Sequence, residues 1–318
     1  MLSDKILERL LSFTDEEINN LNGKNTVDKS IFISNESHVV DCDKMMSSQQ
    51  KLFVRKHTRF IDYPCHKHNY IELMYVYGGQ MTHTINDKDI TIHEGELLLL
   101  NQSIEHSIHC CSENDIIFNF IIKPEFLSFL SHLLEEDNDV SNFIFDTLYS
   151  YENDGEYLLF KVHDDIRVKS YIESIITNIY EPKLYNELEL KLLVGLLLTE
   201  LMNHPEDIES YTGNSYEKII GSTILKYIAL HYQDASLSDL SKIIHQPDYK
   251  ICKVIKKQTG MTFTQLLQEE RLKAAEKLLK STDMSMLDIM QEVGYENISY
   301  FYKIFKKKHN QTPQEYKK

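Results

Sequence analysis

Residues 271–318 read RLKAAEKLLKSTDMSMLDIMQEVGYENISYFYKIFKKKHNQTPQEYKK, and this stretch decides the fold of the end of the chain. Ser285 precedes a short apolar run that is typical of an amphipathic helix, and Gly294 interrupts that run. In a second run, Phe301, Ile304 and Phe305 recur at helical spacing, and lysines follow them. A short helix, a turn and a basic-ended helix form the helix-turn-helix plan.

The same plan occurs a second time upstream. Residues 236–260 read SLSDLSKIIHQPDYKICKVIKKQTG, with Ile251, Val254 and Ile255 as the core-facing positions of the second helix. Residues 262–280 between the copies predict one helix of about 18 residues, which is roughly 27 Å long. Such a spacer can set two recognition helices about one DNA turn apart, roughly 34 Å. One copy alone would fit an ordinary helical bundle equally well, but the repeat favours DNA binding.

The charge of the chain is unevenly distributed. The sequence carries 34 basic and 49 acidic residues, a formal net charge of −15. Residues 214–318 hold 17 lysines and arginines and 12 acidic residues, a net of +5, so residues 1–213 have a net of −20. Local positive charge binds DNA through release of the counterions condensed on phosphate. We therefore expect only the carboxy-terminal part to contact DNA.

In the second helix of each unit, the side opposite the core-facing positions carries polar and basic side chains. Lysines there can bind phosphates, while tyrosine, serine and lysine can reach base edges in the major groove. The candidate DNA-binding residues are Tyr249, Lys250, Cys252, Lys253, Lys256, Asn297, Ser299, Tyr302, Lys303 and Lys306.

The carboxy-terminal stretch resembles the signature of AraC/XylS-type transcription regulators, strongly over residues 215–318 and more weakly over 40–122. The matching positions are Arg271, Ala275, Leu279, Ile289, Gly294-Tyr295, Tyr300-Phe301, Phe305-Lys306 and Thr312-Pro313. The resemblance implies two recognition helices in adjacent major-groove segments of promoter DNA, a small-molecule effector and, in an activator, contact with RNA polymerase. By position, the base readers would be Tyr249, Cys252 and Lys253, then Ser299, Tyr302 and Lys303.

Four positions depart from the pattern of that family. Pro247 stands where a capping serine is usual, but proline suits the first position of a helix. Asn310 replaces the usual glycine, and asparagine tolerates the left-handed conformation better than most residues. Met290 replaces a small alanine, and Lys317 replaces an arginine. None of these changes alters the predicted fold.

The amino-terminal part has the pattern of β-strands from about residue 31 to 122. Short runs rich in Ile, Tyr, Val, Phe and Thr alternate with turn residues, and Asn86-Asp87 and Glu94-Gly95 predict hairpin turns. Many short strands at this spacing predict a sandwich or barrel. We therefore expect an α+β chain: a cupin-like β-barrel, a helical linker and dimerisation region, and an all-α domain with two helix-turn-helix motifs joined by a long helix.

The predicted boundaries follow these changes of pattern. Residues 186–202 carry one broad apolar face, which predicts either a buried core helix or the interface of a homodimer. That face holds Leu188, Leu192, Leu193, Leu196 and Leu197. The predicted domains are an amino-terminal helix and connector at 1–30, the barrel at 31–122, the helical region at 123–204, a linker at 205–217 and the DNA-binding domain at 218–318.

The spacing of His66, His68, Glu72 and His106 resembles the two motifs of the cupin barrel. In metal-binding cupins these positions hold the metal, and imidazole with carboxylate suits Zn, Mn, Fe or Ni. The AraC-type resemblance implies instead a metal-free pocket for a small molecule, in many members a sugar, and we expect no resident cofactor. The candidate ligand-binding residues are His66, His68, Tyr70, Glu72, Tyr75, His83 and His106.

Three alternatives remain open for the barrel. It could be a metal-dependent enzyme, a dioxygenase or an isomerase, although the regulator interpretation assigns no catalytic residue. It could sense a metal or a redox change, because Cys65, Cys110 and Cys111 stand near the histidines in the sequence. It could also serve only for dimerisation. The lack of a long apolar run and the irregular spacing of the five cysteines favour a cytoplasmic protein with reduced thiols and no membrane contact.

Overall fold

The computed structural model of the chain describes residues 2–23, 39–132, 138–149, 155–163, 165–211 and 216–317. The chain divides into two compact units. One unit takes most of residues 1–214 and holds the β-strands, and the other is built on residues 215–318 and is helical. This division confirms the predicted α+β class, with a sheet-rich amino-terminal part and an all-α carboxy-terminal part.

The strands of the first unit form two sheets. The strands are β1 Val39–Val40, β2 Leu52–Lys56, β3 Tyr63–His68, β4 Ile71–Gly78, β5 Gln80–Ile85, β6 Lys88–His93, β7 Leu97–Leu100, β8 His106–Ile108, β9 Ile116–Ile122, β10 Tyr157–Phe160 and β11 Ile208–Tyr211. The five-stranded sheet has the order β1-β3-β8-β5-β6, and the six-stranded sheet has the order β11-β10-β7-β4-β9-β2. Strands β1 and β3 are parallel, and the other neighbouring pairs are antiparallel.

The core of the barrel lies between the two sheets. Met74 and Val76 of β4 pack in one buried cluster with Met81 and Ile85 of β5, which belongs to the other sheet. Successive side chains of a strand point to opposite faces. Leu73 of β4 therefore points out of the barrel, toward the helices that cover this sheet.

The structure confirms one of the two predicted hairpin turns and contradicts the other. Asn86 and Asp87 join β5 to β6 with φ values of 51° and 59°, as in a type I′ turn, so that prediction is confirmed. The hairpin predicted at Glu94-Gly95 is wrong, because β6 and β7 lie in different sheets and the chain crosses between them. A Cβ at Gly95 would lie 2.0 Å from the carbonyl oxygen of His163, so this crossing requires glycine.

The helices of the first unit pack on the outer face of the six-stranded sheet and at its ends. They are α1 Asp4–Leu11, α2 Asp15–Leu21, α3 Asp139–Tyr149, α4 Ile166–Tyr180 and α5 Asn186–Met202, with short 3₁₀ helices at Cys42–Lys44, Pro124–His132 and Pro205–Asp207. Leu73 and Leu99 of the sheet line one apolar contact region with Ile175 of α4 and Leu197 of α5. The helix α5 thus has a core-facing side.

The apolar face predicted for residues 186–202 is divided between core and surface. Leu190, Val194, Leu197, Leu198 and Leu201 are buried, whereas Leu188, Leu192 and Leu196 are 59%, 60% and 48% exposed. The predicted apolar face combined leucines of the buried side with leucines of the exposed side. A helix that carries leucine on all sides has no clear hydrophobic periodicity from which to tell the two sides apart.

Two strands interrupt segments that we expected to be helical or unstructured. Strand β10 lies within 123–204, and β11 lies within 205–217; both extend the six-stranded sheet beyond β7. All four residues of β10 are buried. A short run that is buried on every side shows neither strand nor helix periodicity, which explains the error in the prediction.

The second unit contains only helices in its described residues. They are α6 Tyr216–His231, α7 Leu237–Ile244, α8 Asp248–Thr259, α9 Phe263–Ser281, α10 Met286–Glu292, α11 Ile298–His309 and α12 Pro313–Tyr316. The side chains of Ser236 and Ser285 cap α7 and α10 by accepting hydrogen bonds from backbone N–H groups. Pro247 directly precedes α8, and Asn310 ends α11 with a φ of 56°. In the described ranges, no helix has the length and apolar character needed to cross a membrane.

Candidate functional site

A group of buried polar side chains lies between the two sheets of the barrel. Glu72 of β4 and Asn119 of β9 come from the six-stranded sheet, whereas His68 of β3, His83 of β5 and His106 of β8 come from the five-stranded sheet. All five are buried. We name these five residues the interior cluster.

Three donor atoms of the interior cluster converge on one point. The Nε2 atom of His68 lies 3.5 Å from the Oε2 atom of Glu72, and the Nε2 atom of His106 lies 3.4 Å from the same oxygen. Both distances exceed the range of about 2.7–3.2 Å for N–H···O hydrogen bonds. All three atoms are buried without a hydrogen-bond partner. Leaving such an atom unsatisfied costs about 1–3 kcal/mol, so the cluster is a candidate ligand site.

Neighbouring groups fix the orientation of these side chains. The Nδ1–H group of His68 donates to the carbonyl oxygen of Tyr70 at 2.6 Å. Because a carbonyl oxygen can only accept, the Nε2 atom of His68 carries a lone pair. Asn119 donates from Nδ2 to the Oε1 atom of Glu72, which leaves Oε2 directed at the two histidines.

The histidines inside the barrel are neutral at pH 7. Burial lowers the pKa of His66, His68 and His106 to about 4 and the pKa of His57 to about 3. Burial, with the nearby His106, also lowers the pKa of His83 well below its usual value. Neutral imidazole presents one ring nitrogen that can accept a hydrogen bond or bind a metal.

Other predicted ligand residues lie beside the interior cluster. His66 is half-buried, its ring centroid is 4.3 Å from that of His106, and its Nδ1–H donates to the carbonyl oxygen of Pro64 at 2.8 Å. The ring of Tyr70 stacks on His68 at 4.6 Å between centroids. The structure therefore brings His66, His68 and Tyr70 to the same end of the barrel interior.

Tyr75 does not join them, contrary to the prediction. It lies three positions after Glu72 on β4, so it shares the outer face of the sheet with Leu73. Burial, with the Glu173 carboxylate of α4 nearby, raises the pKa of Tyr75 to about 12. Its side chain therefore packs toward the helices and cannot contact a ligand between the sheets.

Two interior residues were missed by the sequence reasoning. Asn119 is the one polar residue in the apolar run IIFNFII of β9, and that isolated polar position was a usable signal. His57 follows β2, and its ring lies 5.1 Å from that of Tyr63 between centroids. Nothing in its local sequence separates it from an ordinary turn residue.

The cysteines give little support to a redox site. All five lie in the described part of the chain and are free thiols, of which Cys42 and Cys111 are buried. Burial raises the pKa of Cys111 to about 12, and it also raises the pKa of Cys110. A thiol with a raised pKa is mostly protonated and reacts slowly.

The helix pairs of the second unit bury one face and expose the other. Ile251, Val254 and Ile255 of α8 are buried, as are Phe301 and Phe305 of α11, which confirms those core positions. Ile304 is only half-buried. The exposed faces carry Tyr249, Cys252, Lys253, Lys256, Ser299, Lys303 and Lys306.

Comparison with known families identifies both units. Residues 53–198 match the family described as the AraC-like ligand binding domain, and residues 240–318 match the family described as a helix-turn-helix domain. The chain belongs to the AraC family. It is a DNA-binding transcription regulator whose amino-terminal domain senses a small-molecule effector.

Individual relatives of this AraC-family chain are distant. It is 24% identical over 253 residues to the HTH-type transcriptional activator RhaR of Escherichia coli, across 79% of this chain and 86% of that protein. It is 23% identical over 261 residues to the HTH-type transcriptional regulator YdeC of Bacillus subtilis, across 80% and 86%. A solved structure of an apo variant of ToxT from Vibrio cholerae is 19% identical, with a TM-score of 0.39 over 85% of this chain and 97% of that one.

Three predicted DNA contacts of this AraC-family regulator also have structural roles. The side chain of Asn297 caps α11 by accepting a hydrogen bond from the backbone N–H of Tyr300 at 2.9 Å. Lys256 donates to the carbonyl oxygen of Gly260 at the end of α8. Tyr302 is half-buried against the core of the second helix pair. These side chains help to hold the two helices in place.

Proposed function

We propose that α8 and α11 are the recognition helices and that they enter two adjacent major-groove segments of promoter DNA. The observation that carries this proposal is the repeated arrangement: each helix follows a serine-capped helix, buries an apolar side and exposes a side with basic residues. The base readers would be Tyr249, Cys252, Lys253, Ser299, Tyr302 and Lys303, with Lys250, Lys256, Asn297 and Lys306 at the phosphates.

The effector site of this proposal is the interior cluster of the barrel with its neighbours His66 and Tyr70. Orphaned polar atoms that point at one another support a ligand at this place. If the effector changes DNA affinity, DNA must change effector affinity by the same factor, since the coupling is reciprocal. Tyr75 is not included, because it faces the helices.

A homodimer through α5 completes the proposal. Leu188, Leu192 and Leu196 repeat every four residues, so they form one exposed apolar stripe on this helix. Leu192 is at the centre of the stripe, so an antiparallel second copy would cover it with the same stripe, as a two-fold interface requires. Glu187 and Lys191, an ion pair at 2.9 Å, provide both signs of charge beside the stripe.

The remaining roles follow from this regulatory function. The protein would act in the cytoplasm, where promoter DNA is accessible, would contact RNA polymerase if it is an activator, and would not be an enzyme. The effector domain would extend to residue 211, because β10 and β11 complete the six-stranded sheet. The DNA-binding domain would occupy residues 218–318.

The proposed function is tested by binding of the full-length protein to its own upstream DNA over a range of salt concentrations. We expect selective binding over random DNA and a steep decrease of log K with log salt, because each phosphate contact releases about 0.9 counterion. Equal affinity for upstream and random DNA, with and without candidate effectors, would contradict the proposal.

A further inference from the structure

We propose that the effector of the barrel is a divalent transition-metal ion, held by the Nε2 atom of His68, the Oε2 atom of Glu72 and the Nε2 atom of His106. These atoms all lie within 4.8 Å of one another, and the three residues are buried. The inference rests on the proposed regulatory function and names the chemical class of its effector.

The spacing of the donor atoms matches a metal ion better than a hydrogen-bonded ligand. Two donors that each lie about 2.1 Å from an ion at a tetrahedral angle are about 3.4 Å apart. Two donors that each lie about 2.8 Å from one hydroxyl oxygen at that angle are about 4.6 Å apart. The Oε2 atom of Glu72 lies 3.5 Å from the Nε2 atom of His68 and 3.4 Å from the Nε2 atom of His106. Both distances agree with the separation expected around a metal ion.

The orientation of His68 also suits a cation at this place. The Nε2 atom of His68 carries a lone pair, since its Nδ1–H donates to the Tyr70 carbonyl, and it faces a carboxylate oxygen of Glu72. Two electron-pair donors that face each other in a buried site repel one another unless a proton or a metal ion lies between them, and the separation of 3.5 Å exceeds that of a hydrogen bond. A ring N–H that donates to a backbone carbonyl is the usual support of a metal-binding histidine.

The donor types select a class of metal. Two imidazole nitrogens and one carboxylate oxygen suit Zn²⁺, Fe²⁺, Co²⁺, Ni²⁺ or Mn²⁺. Ca²⁺ and Mg²⁺ prefer sites made of oxygen donors. His66 and His83 lie beside His106, at 4.3 and 5.2 Å between ring centroids. We assign them no role in holding the ion, because among the described residues of the barrel interior only donor atoms of His68, Glu72 and His106 lie within 4.8 Å of one another.

The three converging donors suit a single ion better than a sugar. A sugar carries hydroxyl groups around its ring and needs polar partners at several separated points. Here three polar atoms converge on one point, while further unsatisfied polar atoms of the interior belong to His57, His83 and Asn119. A single ion satisfies all three donors at once.

The test compares metal-free and metal-loaded full-length protein. After removal of metal with a chelator, the protein is dialysed against Zn²⁺, Co²⁺, Ni²⁺ or Mn²⁺, with Mg²⁺ as the comparison, and bound metal and melting temperature are measured. We expect about one transition-metal ion per chain and a higher melting temperature, because the ion binds the native state selectively. Mg²⁺ should produce neither effect.

Two variants and one matched control separate a ligand role from a structural role. Glu72→Gln and His106→Ala should both abolish stoichiometric binding and the thermal shift. Metal-free Glu72→Gln should melt no lower than metal-free wild type, because the amide oxygen of glutamine can still accept the hydrogen bond from Asn119, and the exchange removes a buried charge whose Oε2 atom has no hydrogen-bond partner. His109→Ala, at an exposed histidine that pairs with Asp89, should bind metal like the wild type.

The sensing role is measured separately as affinity for the upstream DNA. Metal should change the dissociation constant about tenfold in the wild type and not in Glu72→Gln. The metal site is refuted if the wild type binds no metal, or if Glu72→Gln binds metal with unchanged affinity. Either outcome leaves the proposed DNA binding unaffected. Stoichiometric metal without any change in DNA affinity overturns its role as effector. If neither the metal-free nor the metal-loaded protein binds the upstream DNA selectively, the proposed function is refuted, and the role of the metal as effector is refuted with it.

Discussion

The Oε1 atom of Glu17 lies 2.7 Å from the Nε atom of Arg59, and both side chains are buried. The Nζ atom of Lys56 lies 2.7 Å from the other carboxylate oxygen of Glu17. These bonds connect α2 to the end of β2, so the amino-terminal helices are attached to the barrel by a buried carboxylate and two cations. Each of the three charges depends on the others, since a lone charge in this place would be unsatisfied.

Glu17→Gln should therefore destabilise the amino-terminal unit. Removing one partner of a buried ion pair costs about 3–5 kcal/mol, because the remaining charges lose their compensation. Urea denaturation at pH 7 measures this loss. Glu16→Gln is the matched control, since the Glu16 carboxylate lies 3.7 Å from Arg55 and is partly exposed. It should cost less than about 1 kcal/mol. Equal losses in the two variants would contradict the assignment.

The same carboxylate should make the stability of the unit depend on acid pH. Burial alone would raise the pKa of Glu17, but hydrogen bonds from Arg59 and Lys56 outweigh it and lower the pKa from 4.5 to about 2. The folded-state pKa lies below the unfolded value, so the stabilisation is complete above pH 4.5 and is lost as the pH falls toward 2. The difference in unfolding free energy between wild type and Glu17→Gln should shrink through this window. A constant difference would argue against it.

Lys303→Ala should weaken DNA binding without unfolding the protein. Lys303 is exposed on α11, so the loss of its side chain removes a phosphate or base contact and no core packing. We expect a loss of about 1–3 kcal/mol in binding if it reads a base, or a decrease of about 1 in the salt slope if it binds a phosphate. Lys277→Ala, at an exposed position of α9, is the control and should change neither quantity. Identical salt titrations of both variants would remove Lys303 from the interface.

The parts of the fold that sequence could predict are those with a repeated or regular pattern. The helix pairs of the second unit repeat one arrangement of apolar positions, and Ser236 and Ser285 begin the first helix of each pair. The resemblance to the two cupin motifs predicted that His66, His68, Glu72 and His106 lie together, and the structure brings donor atoms of His68, Glu72 and His106 within 4.8 Å of one another. A local pattern is enough for the helix pairs, whereas the resemblance to a known pair of motifs was needed for the histidines and Glu72, which lie on different sheets.

The parts that sequence could not predict depend on contacts between distant positions. Glu17 is 42 positions from Arg59, and no local pattern connects them. Strand β10 pairs with β7 across a wide gap in sequence, and its apolar run fits a helix as well as a strand. Whether the side chain of Tyr75 points into the barrel or toward the helices depends on the register of β4, and that register is fixed only when the whole sheet has formed.

Asn310 should tolerate glycine but not a branched side chain. Its φ of 56° lies in the left-handed region at the end of α11, which glycine adopts freely and which β-branched residues strongly disfavour. Asn310→Gly should leave the melting temperature almost unchanged, whereas Asn310→Val should cost about 1–2 kcal/mol. Thermal unfolding followed by circular dichroism compares the two. Equal melting temperatures for both variants would show that α11 ends in another conformation.

The exposed stripe of α5 gives the last prediction, which concerns the homodimer. Leu192 is 60% exposed at the centre of the stripe, so Leu192→Asp should leave the fold of one chain intact. In a two-fold interface it would place an aspartate against its own copy, and it would also remove two leucines whose burial contributes about 1.5–3 kcal/mol each. Sedimentation velocity over a range of concentrations should therefore show a dissociation constant raised at least about a hundredfold. Leu287→Asp, at a 50% exposed leucine of α10, is the matched control and should dimerise like the wild type. Dimers of equal affinity in both variants would place the interface elsewhere than on α5.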